Sequence, residues 1–549
     1  MLRSADYKNR KKAARMIAAL TAVVLCLDLT GCARIQEMFH PDQEEAAEQG
    51  EAADNAAEEK TGEAAAEGEE AAQQDGKQND AESVKDPSTS YTRKEGAVLN
   101  IFTWDSSLRG ILQTYNDEYE ELTADEGKMD GVTIRWHEIG PDEYQEELDK
   151  QLLRNNYFET DDKVDIYLVD GDSLSKYINT EFSMDLVKGL GFSENTLSDQ
   201  FPFTVQAATN GDGILKGVSW IASPGVFLYR RSIAQQVFGT DDPATVQAAV
   251  EDWDQFAASA ATANAKGYKM VSGIDDSYYA FRGASERPWV LNGEVLPDES
   301  ALRWADQTRA IYAGGFTNDT FYKGKNWMRD LGVTGNVLGF FLSAYEIRQL
   351  TSEDGAGGSG AGIGLPIVNS DSTDGGEALQ SGQNSASSEA SKLAAQANLA
   401  YGDYAMCLGP QVYARGGIWM MVSPDTDNPA LAKKLLEYMA GDTAMLEQLA
   451  RDGQIFTNSR TAMVKMAREQ TNSVLFNDQN QFAVYLESAE KAAVGPTSVY
   501  DNKLGYLFRR RMSDYIYGNM SREEALDWFY TRAWEEYPIL KPEDAQTQR

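Results

Sequence analysis

Between Val98 and Asp170 the sequence alternates strand and helix periods, and this stretch narrows the fold more than any other. VLNIFT (98–103) runs apolar and β-forming residues together, as a strand covered on both faces does. Leu108, Ile111, Tyr115 and Tyr119 then recur at helical spacing. VTIRWHE (132–138) alternates as a strand, and Tyr144, Leu148 and Leu152 mark a second helix that starts near Pro141-Asp142. KVDIYLV (163–169) is a third strand. Strand, helix, strand, helix, strand in this order predicts an α/β fold on a parallel sheet, because parallel neighbours need long crossovers and those crossovers are right-handed.

In sheets of this kind ligands bind beyond the carboxyl ends of the strands. The first strand runs into Thr103-Trp104-Asp105 and the third into Asp170-Gly171-Asp172. A broad aromatic face and short carboxylates suit a polyhydroxylated solute. The ring covers the apolar face of a sugar, and each carboxylate accepts from adjacent hydroxyls. A core tryptophan is the competing role for Trp104.

Composition removes several classes of function. The net charge of −36 repels phosphate backbones and anionic lipid headgroups, so nucleic acid is not expected as a partner. There are two histidines, His40 and His137, and the latter falls on the polar side of an alternating strand, where a solvated role is expected. Histidine-based metal sites and catalytic triads are therefore not expected, nor is a cofactor. Of three cysteines, Cys26 lies in an apolar leader, Cys32 ends it, and Cys407 sits in an apolar strand as an inert thiol, so no disulfide framework is available.

Residues 1–15 carry six basic residues and one acid, followed by the apolar run Met16–Leu27. That run is shorter than the roughly 20 residues a membrane-spanning helix needs, so it reads as an export signal. It closes on Leu29-Thr30-Gly31-Cys32, which resembles the lipobox of bacterial lipoproteins despite Asp28 in front of it. The resemblance implies cleavage before Cys32 and a diacylglyceryl group on its sulfur, and two acyl chains hold where one is marginal. Residues 41–90 hold 16 acidic and three basic residues with almost no large apolar side chain, a composition that cannot offset ordering entropy. As a coil of about 5–6 Å × √n such a segment reaches roughly 40 Å, enough to space a folded domain from a membrane.

Farther on, Asp242-Pro243 is expected to open a helix whose apolar stripe runs Val246, Val250, Trp253, Ala257 and Ala260. Residues 352–398 are rich in Gly, Ser, Ala and Gln and are expected to form a flexible insertion. The GxGxxG match at 355–360 falls inside that insertion rather than on a strand-to-helix turn, so no nucleotide site is read from it. Ser173-Leu174-Ser175-Lys176 matches SxxK, but the accompanying Lys60-Thr61-Gly62 lies in the acidic segment, which leaves chance as the explanation.

The ordered series of segments resembles the extracellular solute-binding proteins of carbohydrate ABC importers, the maltose-binding-like family 1. It is carried by the Trp104 loop, by Asp165-Ile166-Tyr167-Leu168-Val169-Asp170 and by a crossing segment ending in Tyr229-Arg230. Ser343-Ala344-Tyr345 stands where the family has a Gly-Pro-Trp-like turn, Gly416-Gly417 precedes an apolar return through Val422, and a helix starts at Asn428-Pro429. The resemblance covers about residues 97–540. It implies a two-lobe periplasmic-binding-protein type II fold that closes on a solute without chemistry. The expected layout is a signal peptide (1–31), a lipid-anchored disordered tether (32–96), a first lobe (97–222 plus 332–415, with the insertion) and a second lobe (223–331 plus 416–549). Trp104, Asp105, Asp170, Trp220, Tyr345, Arg415 and Trp419 are the expected ligand-binding residues, with Trp220 and Trp419 beside the crossings. Implied partners are a mono- or oligosaccharide, ABC permease subunits and the membrane through Cys32, with the protein a monomer on the extracytoplasmic face. The rivals are a surface glycoside hydrolase using Asp105 and Asp170 as its carboxylate pair, and a module presenting ligand to a sensor kinase.

Overall fold

A computed structural model describes residues 96–351, 399–469 and 475–542. The leader, the Cys32 lipobox, the acidic segment through residue 95 and the 352–398 insertion lie outside the described residues. In chain order the strands are β1 (Val98–Thr103), β2 (Glu120–Glu121), β3 (Glu126–Met129), β4 (Val132–Glu138), β5 (Val164–Asp170), β6 (Gly217–Val218), β7 (Gly225–Arg230), β8 (Val290–Leu291), β9 (Glu294–Val295), β10 (Gly339–Ser343), β11 (Tyr404–Cys407) and β12 (Ile418–Val422).

The first lobe is built on a seven-stranded sheet in the order β2-β3-β4-β1-β5-β12-β6. Strands β4, β1 and β5 run parallel, as the alternating pattern predicts. The crossover helices are Ser107–Tyr115, which buries Leu108, Ile111 and Leu112, and Pro141–Arg154, which buries Tyr144, Leu148 and Leu152. The first ends at Tyr115, four residues before Tyr119, so the apolar spacing outlasts the helix. Each fully buried leucine on these faces contributes about 1.5–3 kcal/mol against leaving it in water.

The second lobe centres on a three-stranded antiparallel sheet, β10-β7-β11, covered on both faces. The period of two divides its side chains between two cores: Phe227, Tyr229, Phe341 and Cys407 enter one, and Val226, Leu228, Phe340 and Met406 the other. Double coverage is why these strands read as unbroken apolar runs.

This pairing corrects the expected layout of the lobes. Strands β10 and β11, within 332–415, do not join the first lobe, because the two free edges of β7 take them. Strand β12 and the helices Pro429–Gly441 and Thr443–Gly453 do not join the second lobe. β12 covers the open edge of β5, and Leu435, Leu436 and Leu449 fill the first core. The chain then returns to the second lobe for the helices Arg460–Arg468, Gln481–Lys491, Asp501–Ile516 and Arg522–Glu536. Three segments therefore connect the lobes, near residues 219–224, 414–417 and 454–459.

The stripe from Val246 to Ala260 also divides. One helix covers Pro243–Ala249, capped by Asp242, and a second covers Trp253–Ala265, whose Gln255 N–H donates to the Asp252 side chain. A capping carboxylate inside the stripe gives the chain a stop and a restart that apolar spacing cannot reveal. His137 is not a solvated surface side chain: it is half-buried, stacked on Phe102 at 4.3 Å and 2.9 Å from Asn100 Oδ1, and burial lowers its pKa. Cys407 is buried, and that burial pushes its thiol up to about 12. No described helix is long and apolar enough to cross a membrane.

Candidate functional site

The three connections lie side by side and are stitched together through their backbones. Ala222 N–H donates to Phe456 O (3.1 Å), Asn458 N–H to Trp220 O (2.8 Å) and Arg415 N–H to Ser223 O (3.0 Å). Asn458 is fully buried, and its amide donates to Ser219 O and Thr204 Oγ1 while accepting from Phe201 N–H. A cleft of about 90 Å³, open to solvent, lies against these connections. Ser107 and Ile111 line it from the first lobe, Trp220 and Phe456 from the connections, and Tyr345 and Arg348 from the helix Ala344–Thr351.

The first-lobe wall is carried by the carboxyl ends of β1 and β5. Tyr144 OH donates to Phe102 O (3.0 Å) and Leu168 O (2.7 Å), tying the two strand ends together. Trp104 stands edge-on to the Tyr144 ring at 5.2 Å and is half-buried. Asp105 accepts from Ser107 N–H (3.0 Å) and Oγ (2.6 Å), which fixes it at the start of the Ser107–Tyr115 helix. Asp170 accepts from Asp172 N–H, Ser173 N–H and Ser173 Oγ. Burial raises the pKa of both carboxyls against those bonds. Both charges are felt by the Tyr345 hydroxyl across the cleft, whose pKa is raised first by its own burial.

The second-lobe wall is aromatic and cationic. Arg415 lies over the Tyr279 ring at 3.7 Å and the Tyr322 ring at 4.6 Å, and its guanidinium pairs with Glu346 at 3.0 Å. Glu346 also takes Lys323 (3.2 Å), the Tyr322 hydroxyl (2.5 Å) and Ser343 N–H (3.0 Å). Burial alone would raise this carboxyl; Arg415, Lys323 and Tyr322 overcome it and hold the pKa at about 2.

Of the residues singled out from sequence, Tyr345 lines the cleft, Trp104, Asp105 and Asp170 lie at the carboxyl ends of β1 and β5, and Arg415 lies over the Tyr279 and Tyr322 rings. Trp220 is 2% exposed and forms a wall of the cleft while belonging to the first core. Trp419 is 4% exposed, packs in the first core and donates its indole N–H to Thr204 O at 3.2 Å, so it faces away from the cleft. Sequence reasoning missed Tyr279, Tyr322 and Glu346. Their signals were present: a Tyr278-Tyr279 pair, Tyr322-Lys323, and a glutamate directly after Tyr345.

Two α/β lobes joined by three connecting segments, with a cleft lined from both lobes, have the form of a protein that encloses a small solute. The family of bacterial extracellular solute-binding proteins matches residues 117–472, and the chain belongs to it. It is thus an extracytoplasmic binding protein of a family of receptors rather than enzymes. No curated protein matches the chain. Among solved structures, an extracellular solute-binding protein of family 1 is 14% identical, with TM-score 0.60 over 81% of this chain and all of the other. The sugar-binding protein MalE from Xanthomonas citri is 11% identical, with TM-score 0.57 over 81% of this chain and 97% of that one. The galacto-N-biose/lacto-N-biose I-binding protein of the ABC transporter from Bifidobacterium longum is 12% identical, with TM-score 0.54 over 81% and 98%. These likenesses show the two-lobe fold.

Proposed function

We propose that the protein captures a carbohydrate between its lobes and delivers it to the membrane subunits of an ABC importer. The observation that carries this reading is the pairing of aromatic faces with fixed carboxylates at the lobe junction. Trp104 and Tyr345 offer stacking surfaces, Asp105 and Asp170 offer acceptors for hydroxyls, and Arg415 offers donors. Solved proteins of this fold that are named for carbohydrate ligands, such as the complex with lacto-N-biose, support it. The remaining parts of the reading are a diacylated Cys32, the acidic segment as spacer, and a monomer working beside two permease subunits.

A thermal-shift screen of mono- and oligosaccharides, followed by titration calorimetry on each hit, tests the site. Trp104→Ala is expected to weaken binding tenfold or more while the ligand-free melting temperature stays near wild type. Trp419→Ala is expected to lose about 3–5 kcal/mol of stability instead, as a large core truncation does. Wild-type affinity in Trp104→Ala would remove that wall from the site.

A further inference from the structure

The second-lobe wall holds more buried guanidinium than its own carboxylates engage. Among the described residues Arg415 has one ion-pair partner, Glu346, and shares it with Lys323. Arg509, from the helix Asp501–Ile516, lies over Tyr278 at 4.9 Å and reaches the same Tyr279 ring at 5.8 Å. Its Nε is buried without a hydrogen-bond acceptor among the described residues. Asp275 acts on Arg509, and the exposed Asp172 on Arg415, only through space, without an ion pair. The Asp501–Ile516 helix also touches Leu174–Ile178 of the first lobe, which places Arg509 on a helix at the junction of the two lobes.

Taking a guanidinium out of water costs free energy that only a bonded anion or well-placed acceptors recover. Among the described residues no carboxylate forms an ion pair with Arg509. An acceptor brought by a bound solute would complete this guanidinium. Both guanidiniums approach the Tyr279 ring, and a planar guanidinium fork takes the paired oxygens of a carboxylate through parallel N–H bonds. The opposite wall, with Asp105 and Asp170, rejects an anion and accepts hydroxyls. A solute satisfying both walls carries hydroxyls toward the first lobe and an acid group toward the second.

We propose that Arg509 and Arg415 form a carboxylate subsite and that the captured solute is an acidic saccharide of the uronic-acid type. This rests on the carbohydrate reading above. The test is calorimetry on the folded, secreted chain with uronic-acid-containing disaccharides, their neutral counterparts and the corresponding sugar phosphates, at low and high salt. An acidic disaccharide should bind about tenfold or more tightly than its neutral counterpart, with the gap narrowing as salt rises. Arg509→Gln should close the gap, while Arg509→Lys should keep part of it. The wild-type comparison of acidic with neutral ligands needs no variant and stands even if Arg509→Gln folds poorly. A neutral disaccharide that binds as well as its acid, a preference for the phosphate, or an acid preference that survives in well-folded Arg509→Gln would overturn the subsite while leaving the carbohydrate reading intact. Binding of no saccharide at all would overturn both.

Discussion

Glu346 decides the state of the second-lobe wall. Its carboxylate answers Arg415 and Lys323 together, and the ring faces of Tyr279 and Tyr322 confine the guanidinium. A carboxyl whose folded-state pKa lies near 2, against an ordinary 4.5, contributes stability that is complete above about 4.5 and is lost as pH falls toward 2. Glu346→Gln keeps the shape and removes the charge. It leaves two cations beside an amide, so at pH 7 it should cost about 3–5 kcal/mol. Urea unfolding of both proteins should show that difference shrinking between pH 4.5 and 2, where the wild-type carboxyl is protonated as well. Equal stability at pH 7 would mean that the carboxylate is not what secures Arg415.

At the scale of the element, the return into β12 depends on two glycines. Gly416 and Gly417 have φ of +72° and +110°, where side chains with a Cβ are strained. A Cβ on Gly417 would stand 2.9 Å from the Trp419 ring, which the core holds in place. The tight passage sets Arg415 against Glu346 and Tyr279 only three residues before β12 begins to bury its side chains against β5. Gly417→Ala should therefore destabilise by more than about 1 kcal/mol. It should also weaken solute binding, because Arg415 is carried on the same turn. Unfolding and binding measured on one preparation check the two effects, and an unchanged midpoint with unchanged affinity would show that the turn adapts at no cost.

For the whole molecule, the proposed arrangement is an acylated Cys32, with the acidic segment spacing the binding lobes from the membrane. Two acyl chains anchor stably where one does not. Cys32→Ala is expected to abolish lipid labelling and cleavage before residue 32, and to release the chain or leave its leader uncut. Metabolic labelling with a fatty acid, followed by mass measurement of the N-terminus, checks this. Undiminished labelling in the variant would place the anchor elsewhere.

Much of the first lobe was legible because its pattern is local. The strands Val98–Thr103 and Val164–Asp170 and the helix Pro141–Arg154 follow from periodicity and a proline at the helix start, and from them the carboxyl-end positions of Trp104, Asp105 and Asp170. The lobe boundaries were not legible. IWMMV and GFFLS are equally apolar, and only the identity of the open strand edge, β5 for one and β7 for the other, sends them to different lobes. Trp419 and Trp104 are likewise the same side chain in sequence, and the register of β12 turns one into the core while a loop leaves the other half-buried beside Tyr144. The grouping of Arg415 with Tyr279, Tyr322 and Arg509 spans 230 residues, from 279 to 509. Charge and ring attraction act through a few ångströms of space, and only the closure of three chain connections brings those positions within that range.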